Sequence, residues 1–90
     1  MRVAERIHSK LTTAFRPSRL EIVDESHRHK GHAGARPNGE SHFRVEVVSE
    51  TFRGKTRLER QRLVYAVLEE EMSSDIHALS LVLRSPDETA

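Results

Sequence analysis

The chain has no cysteine and no tryptophan, and only one tyrosine and three phenylalanines in 90 residues. Without cysteine there is no disulfide framework and no thiol nucleophile. Nor can the chain complete a zinc or iron–sulfur site with thiolates of its own. The scarcity of aromatics leaves the core to aliphatic residues. It also leaves only Phe52 near the basic residues, which argues against single-strand readout by base stacking. An excess of one charge is missing too: 15 Lys and Arg stand against 14 Asp and Glu, for a net charge of +1. Bulk electrostatics therefore give no pull toward nucleic acid or anionic membrane, and any such attraction has to be local. No apolar run is long enough to span a membrane. Residues 1–10 mix charges into their apolar positions and lack a signal-peptide core, so the expected compartment is the cytoplasm. Ninety residues fit a single domain over 1–90, near the lower end of what buries a self-sufficient core.

Glycine and proline are few and unevenly placed. Gly31, Gly34, Gly39 and Pro37 all fall between Asp24 and Ser41. That stretch supports neither the helical nor the strand period and is expected to be a loop over about 25–41, long enough to be functional or disordered. On either side, Leu20–Val23 reads as a short strand, and Phe43, Val45 and Val47 alternate with Arg44 and Glu46 as a strand with one buried face. Upstream, Val3, Ile7, Leu11 and Ala14/Phe15 recur at helical spacing, and Pro17 ends that helix at Arg16. Downstream of a turn at 49–55, Thr56-Arg57-Leu58-Glu59 has the form of a capping box. Leu58, Val64, Tyr65, Val67, Leu68 and Met72 then carry a second helix to about Ser73. This places Glu69, Glu70 and Glu71 at its carbonyl end, where the macrodipole disfavours anions. His77, Leu79, Leu81 and Leu83 share one parity of a last strand, and residues 86–90 are expected to be a frayed tail. The pattern fits an α+β domain with two or three helices on one face of a three-stranded mixed sheet.

What the chain does have is histidine, six in all. His27, His29 and His32 lie in the glycine-broken loop, and His42 lies at its far end. Imidazole suits zinc, copper, nickel and iron, and ligands at such spacings can converge in a turning backbone. By spacing alone the three are interchangeable, and a merely solvated polar loop is the commoner reading of such a pattern, with a simple zinc site a further alternative. His77 opens an aliphatic strand. It is either a structural histidine at a sheet edge or a ligand projecting past the sheet's end toward the loop. His8 falls on the polar side of the first helix, and His42 is expected to face solvent. No nucleophile-elbow context surrounds Ser26 or Ser41, and the carboxylates of Asp24 and Glu25 have no recognisable substrate pocket, so an enzyme is not expected.

A second concentration of charge is basic. Arg53, Lys55, Arg57, Arg60 and Arg62 crowd the start of the second helix with only Glu59 opposing them. Free N–H groups at a helix start attract phosphate, and arginine adds bidentate contacts. A solvated cationic face is the alternative.

Several runs together resemble the BolA family. They are Leu20-Glu21-Ile22-Val23-Asp24-Glu25-Ser26, Glu40-Ser41-His42-Phe43-Arg44-Val45, Phe52-Arg53-Gly54, Arg60-Gln61-Arg62-Leu63-Val64-Tyr65 and Ile76-His77-Ala78-Leu79-Ser80-Leu81. The resemblance covers nearly the whole chain. It implies a fold similar to type II KH domains, in the order α-β-β-α-α-β with a short middle helix. It also implies a non-enzymatic partner of a monothiol glutaredoxin, monomeric alone and heterodimeric in the complex. The two proteins would share a [2Fe–2S] cluster to which glutaredoxin cysteine and glutathione give thiolates, with no cofactor in the isolated chain. The matching ligands are His77 and a loop histidine after Glu25-Ser26, with His29 first, His32 in reserve and His27 third. The family is also described as DNA-binding regulators of stress response and cell morphology, which assigns double-stranded DNA to the 53–62 segment as the alternative. The KH Gly-x-x-Gly loop is incomplete at Phe52-Arg53-Gly54-Lys55, and Gln61 stands where the family often has histidine, so no role of that histidine carries over.

Overall fold

In a computed structural model that describes residues 2–25 and 41–88, the chain folds as α1 (Val3–Phe15), β1 (Arg19–Asp24), β2 (His42–Val48), α2 (Arg57–Val67), α3 (Glu69–Ser74) and β3 (Ala78–Arg84). Helix α1 buries Val3, Ile7, Leu11 and Phe15, one stripe at a four-residue interval. It ends where Arg16 turns into the left-handed region (φ 44°) and donates its N–H to the Thr12 carbonyl; Pro17 follows. A helical Arg16 would clash with the Pro17 ring, so the sequence stops the helix where expected.

The sheet order is β1-β2-β3, with β1 antiparallel and β3 parallel to the central β2. Phe43, Val45 and Val47 of β2 join α1, Phe52, Val64, Leu68 and Ile76 in the core, while Leu20, Ile22, Leu79, Leu81 and Leu83 pack against it. All the helical packing lies on that side. The other side carries ion pairs from Glu46 to Arg19 at 3.0 Å and to Arg84 at 3.2 Å. This is the expected α+β arrangement, a three-stranded mixed sheet with helices on one face.

Three expectations need correction. The second helix does not run unbroken to Ser73: Leu68 (φ −99°, ψ 17°) interrupts it, and the short helix is the last of the three, not the middle one. Leu68 is fully buried. Glu69, Glu70 and Glu71 form the first turn of α3, where the macrodipole favours anions. The tail is not frayed at 86–88 either. Pro86–Glu88 makes a 3-10 turn, because Glu88 accepts from the Ser85 N–H at 2.9 Å and from Arg60.

The capping box is present as expected. Thr56 Oγ1 accepts from the Glu59 N–H at 3.1 Å, and Glu59 Oε1 accepts from the Thr56 N–H at 2.7 Å. The latter bond holds the Glu59 carboxyl below its ordinary range. The turn before it needs Gly54, whose φ of +75° is a conformation other residues rarely adopt.

Candidate functional site

The three strands converge on one end of the sheet. Asp24 pairs with Phe43, and beyond that pair the Glu25 N–H donates to the His42 carbonyl at 2.7 Å. On the other side His42 pairs with Ala78, and the Ser41 carbonyl accepts from both His77 N–H (2.7 Å) and Ala78 N–H (3.2 Å). The chain between Glu25 and Ser41 thus leaves and re-enters beside the start of β3. Parallel pairing of β2 with β3 is the cause: it brings the start of β2 against the start of β3, so residue 42 meets residue 78.

His77 lies immediately before β3, exposed, with its ring centroid 5.1 Å from that of His42 and the planes tilted by 53°. His42 departs from the sequence expectation. Instead of facing solvent it is 5% exposed, and its Nδ1 lies 2.9 Å from Ser41 Oγ. Alternation along β2 could not reveal that His77, just before β3, brings a second imidazole against His42. His8 is exposed on α1, as expected. His27, His29 and His32 lie outside the described residues.

The segment entering His77 is anchored from behind. Asp75 and Ile76 both donate their N–H groups to the Glu71 carbonyl at 2.8 Å. The Glu71 side chain is fully buried between Lys10 Nζ at 2.8 Å and Arg6 Nε at 3.5 Å. Arg6 also pairs with Asp75, and this bond holds the guanidinium above its ordinary pKa. The Arg6 and Lys10 contacts were not legible in the sequence, because α1 and α3 are some sixty residues apart.

Among the described residues, no group of three or more histidine, cysteine, aspartate or glutamate side chains converges to hold a metal. What this end presents is one exposed imidazole on a fixed backbone, with a second imidazole buried behind it. An exposed neutral imidazole can donate a nitrogen lone pair to a borderline metal, and the remaining donors of such a site must come from elsewhere.

The basic stretch does not stay together. Arg60 is 9% exposed: its guanidinium forms a bidentate pair with Glu88 at 2.6 and 3.0 Å and donates to the Leu83 carbonyl at 3.1 Å and the Lys55 carbonyl at 3.0 Å. Arg53 is bound by Glu50 at 2.7 and 2.9 Å and by Asp87 at 3.2 Å. Both arginines are held above their ordinary pKa by those carboxylates. The expectation of a five-residue cationic surface opposed only by Glu59 is therefore corrected, since Glu50, Asp87 and Glu88 oppose it as well. Lys55, Arg57 and Arg62 remain exposed, with no ion pair among the described residues.

Among the described residues no helix is long and apolar enough to cross a membrane. A family model described as BolA-like protein matches residues 11–88. The chain is 49% identical over 81 residues to the DNA-binding transcriptional regulator BolA of Escherichia coli (strain K12), covering 90% of this chain and 73% of that one. It is 42% identical over 87 residues to SufE-like protein 1, chloroplastic/mitochondrial, of Arabidopsis thaliana, covering 92% of this chain but 24% of that protein. The solved structure of BolA1 from Arabidopsis thaliana superposes with a TM-score of 0.89 at 38% identity, over 100% of this chain and 99% of that one.

Proposed function

Taking as premise that the chain belongs to the BolA-like family, we propose that it is a non-enzymatic partner of a monothiol glutaredoxin. The two would share a [2Fe–2S] cluster for assembly, trafficking or sensing of iron. The observation that carries the reading is His77, an exposed imidazole with its backbone fixed at the sheet end where the histidine-bearing segment departs and returns. The donor set fits. The chain supplies nitrogen and no thiolate, which suits one half of a mixed site whose thiolates come from glutaredoxin cysteine and glutathione. His77 is one nitrogen ligand. His29 is the first candidate for the other, ahead of His32 and His27. A bound cluster supplies a one-electron centre whose potential is raised by imidazole in place of thiolate.

This chain's own described residues do two things in that scheme. Ser41 fixes the His77 backbone, and Glu71 with Lys10 and Arg6 fixes the α3–β3 junction behind it. Mixing the protein with a cluster-loaded monothiol glutaredoxin and glutathione should change the visible circular dichroism, with iron and sulfide in the complex. Zinc without iron or sulfide would reject the reading. Separate alanine variants of His29, His32 and His27 should then single out one loop ligand.

A second reading has its own support. Lys55, Arg57 and Arg62 stand exposed around the start of α2 with no ion pair among the described residues, and the Escherichia coli relative is named a DNA-binding regulator. With Arg53 and Arg60 engaged, three cations contact phosphate, so duplex affinity should fall with salt at a log–log slope of about 2 to 3. The double variant Arg57→Glu/Arg62→Glu should abolish binding while leaving stability within about 0.5 kcal/mol. Equal binding by the variant would make the stretch plain surface.

A further inference from the structure

We infer that Ser41 and His42 form a socket that aims the His77 ring, which makes His42 a positioning residue for that ligand. The inference rests on His77 being the ligand, as proposed above. Ser41 acts through its backbone, since its single carbonyl takes two N–H groups, from His77 and Ala78, and thereby fixes where the His77 side chain originates. His42 acts through its ring. At a centroid separation of 5.1 Å and a 53° tilt the two imidazoles are in the range of tilted aromatic contact, so the buried ring restricts the exposed one.

The socket is itself held on several sides. The His42 backbone is bonded into β1 through Glu25 and lies in register with Ala78 of β3, and its Nδ1 is at hydrogen-bond distance from Ser41 Oγ. Ser41 is fully buried. A histidine at an exposed helix-to-strand junction would otherwise change rotamer on the picosecond-to-nanosecond scale. A ring preset by its neighbour loses less freedom on ligation, and partners behind metal-ligating histidines commonly affect affinity by about 10- to 100-fold. His42 does this from a buried position with one ring nitrogen already engaged, whereas His77 is the exposed ring of the pair.

Two variants and two measurements test the socket. His42→Ala removes the ring, and His42→Phe keeps a ring at that place without the Ser41 bond. In the protein alone, NMR couplings of histidine-labelled samples should give one dominant χ1 rotamer for His77 in wild type and in His42→Phe. In His42→Ala the rotamers should average, and the ring-current shift on the His77 ring protons should be lost. In the complex with cluster-loaded monothiol glutaredoxin, His42→Ala should lose the cluster about 10-fold faster than wild type, with His42→Phe close to wild type. Unchanged His77 couplings in His42→Ala would overturn the socket. Complete loss of the cluster in His42→Phe would overturn it too, by making His42 a ligand. If His42→Ala does not fold, averaged His77 rotamers in His42→Phe overturn the socket and a single rotamer there supports it. If wild type gives no cluster spectrum, it is the ligand reading that fails, while the couplings in the free protein still decide whether the ring is held.

Discussion

At the start of β3, His77 stands exposed on a backbone tied to Ser41, whereas near its other end Arg60 is drawn inward. There it closes on Glu88 and on the carbonyls of Leu83 and Lys55. A seven-residue strand separates them, about 20 Å. Both ends began as concentrations of one residue type in the sequence. At the arginine end the strongest donors are consumed in holding the 3-10 turn and the α2 start onto the sheet. At the histidine end the fixing is done by other groups, the Ser41 carbonyl and the Glu71 clamp, which leaves the His77 side chain available. A cluster in sequence is thus no measure of a cluster in function. What decides is which side chains the fold leaves exposed.

The largest effect should come from the clamp behind the histidine end. The double variant Arg6→Ala/Lys10→Ala strands the fully buried Glu71 carboxylate. An uncompensated buried charge costs about 3–5 kcal/mol, and urea unfolding should report it. A cost under 1 kcal/mol would mean that water reaches Glu71. Next comes Arg60→Ala, which removes a bidentate pair and two hydrogen bonds to carbonyls. A loss of about 2–3 kcal/mol is expected, with no effect on any cluster spectrum. If Arg60→Ala instead weakened the glutaredoxin complex, the division between an anchoring end and a displaying end would be wrong.

The smallest effect is in the acid limb. Arg60 first, and then the Ser85 N–H, lower the Glu88 pKa from 4.5 to about 2. Because the folded value lies below the unfolded one, the unfolded state takes up the proton first as pH falls. The contribution of this carboxylate is therefore full above about pH 5 and is lost between roughly pH 4.5 and 2. The melting-temperature difference between wild type and Glu88→Gln should be constant near neutrality and shrink across that window. A difference that persists unchanged at pH 2 would show that the carboxylate charge is not what holds the turn.

Much of the fold could be read in the sequence because it rests on local chemistry. The α1 stripe, the Pro17 stop, the Thr56/Glu59 box and the alternation of Phe43, Val45 and Val47 are each set by neighbours within a few residues. What could not be read depends on partners far along the chain. The helix breaks at Leu68, a buried position that no local pattern marks as a stop. Arg60 is lost to a surface role because Glu88, in an expected tail, returns to it, and His42 is buried beside His77, which lies just before β3. Of the site, His77 was legible as a histidine opening an apolar strand, and its placement beside the loop ends follows from parallel pairing that no local pattern encodes.

The account turns on His77 being displayed for a partner. The direct test is His77→Ala titrated into cluster-loaded monothiol glutaredoxin with glutathione, followed by visible circular dichroism, with stability measured in parallel. The variant should unfold within about 0.5 kcal/mol of wild type, as expected for an exposed side chain, and should produce none of the spectral change that wild type produces. A wild-type spectral change that survives intact in His77→Ala would contradict the assignment of this histidine and, with it, the reading of this end of the molecule.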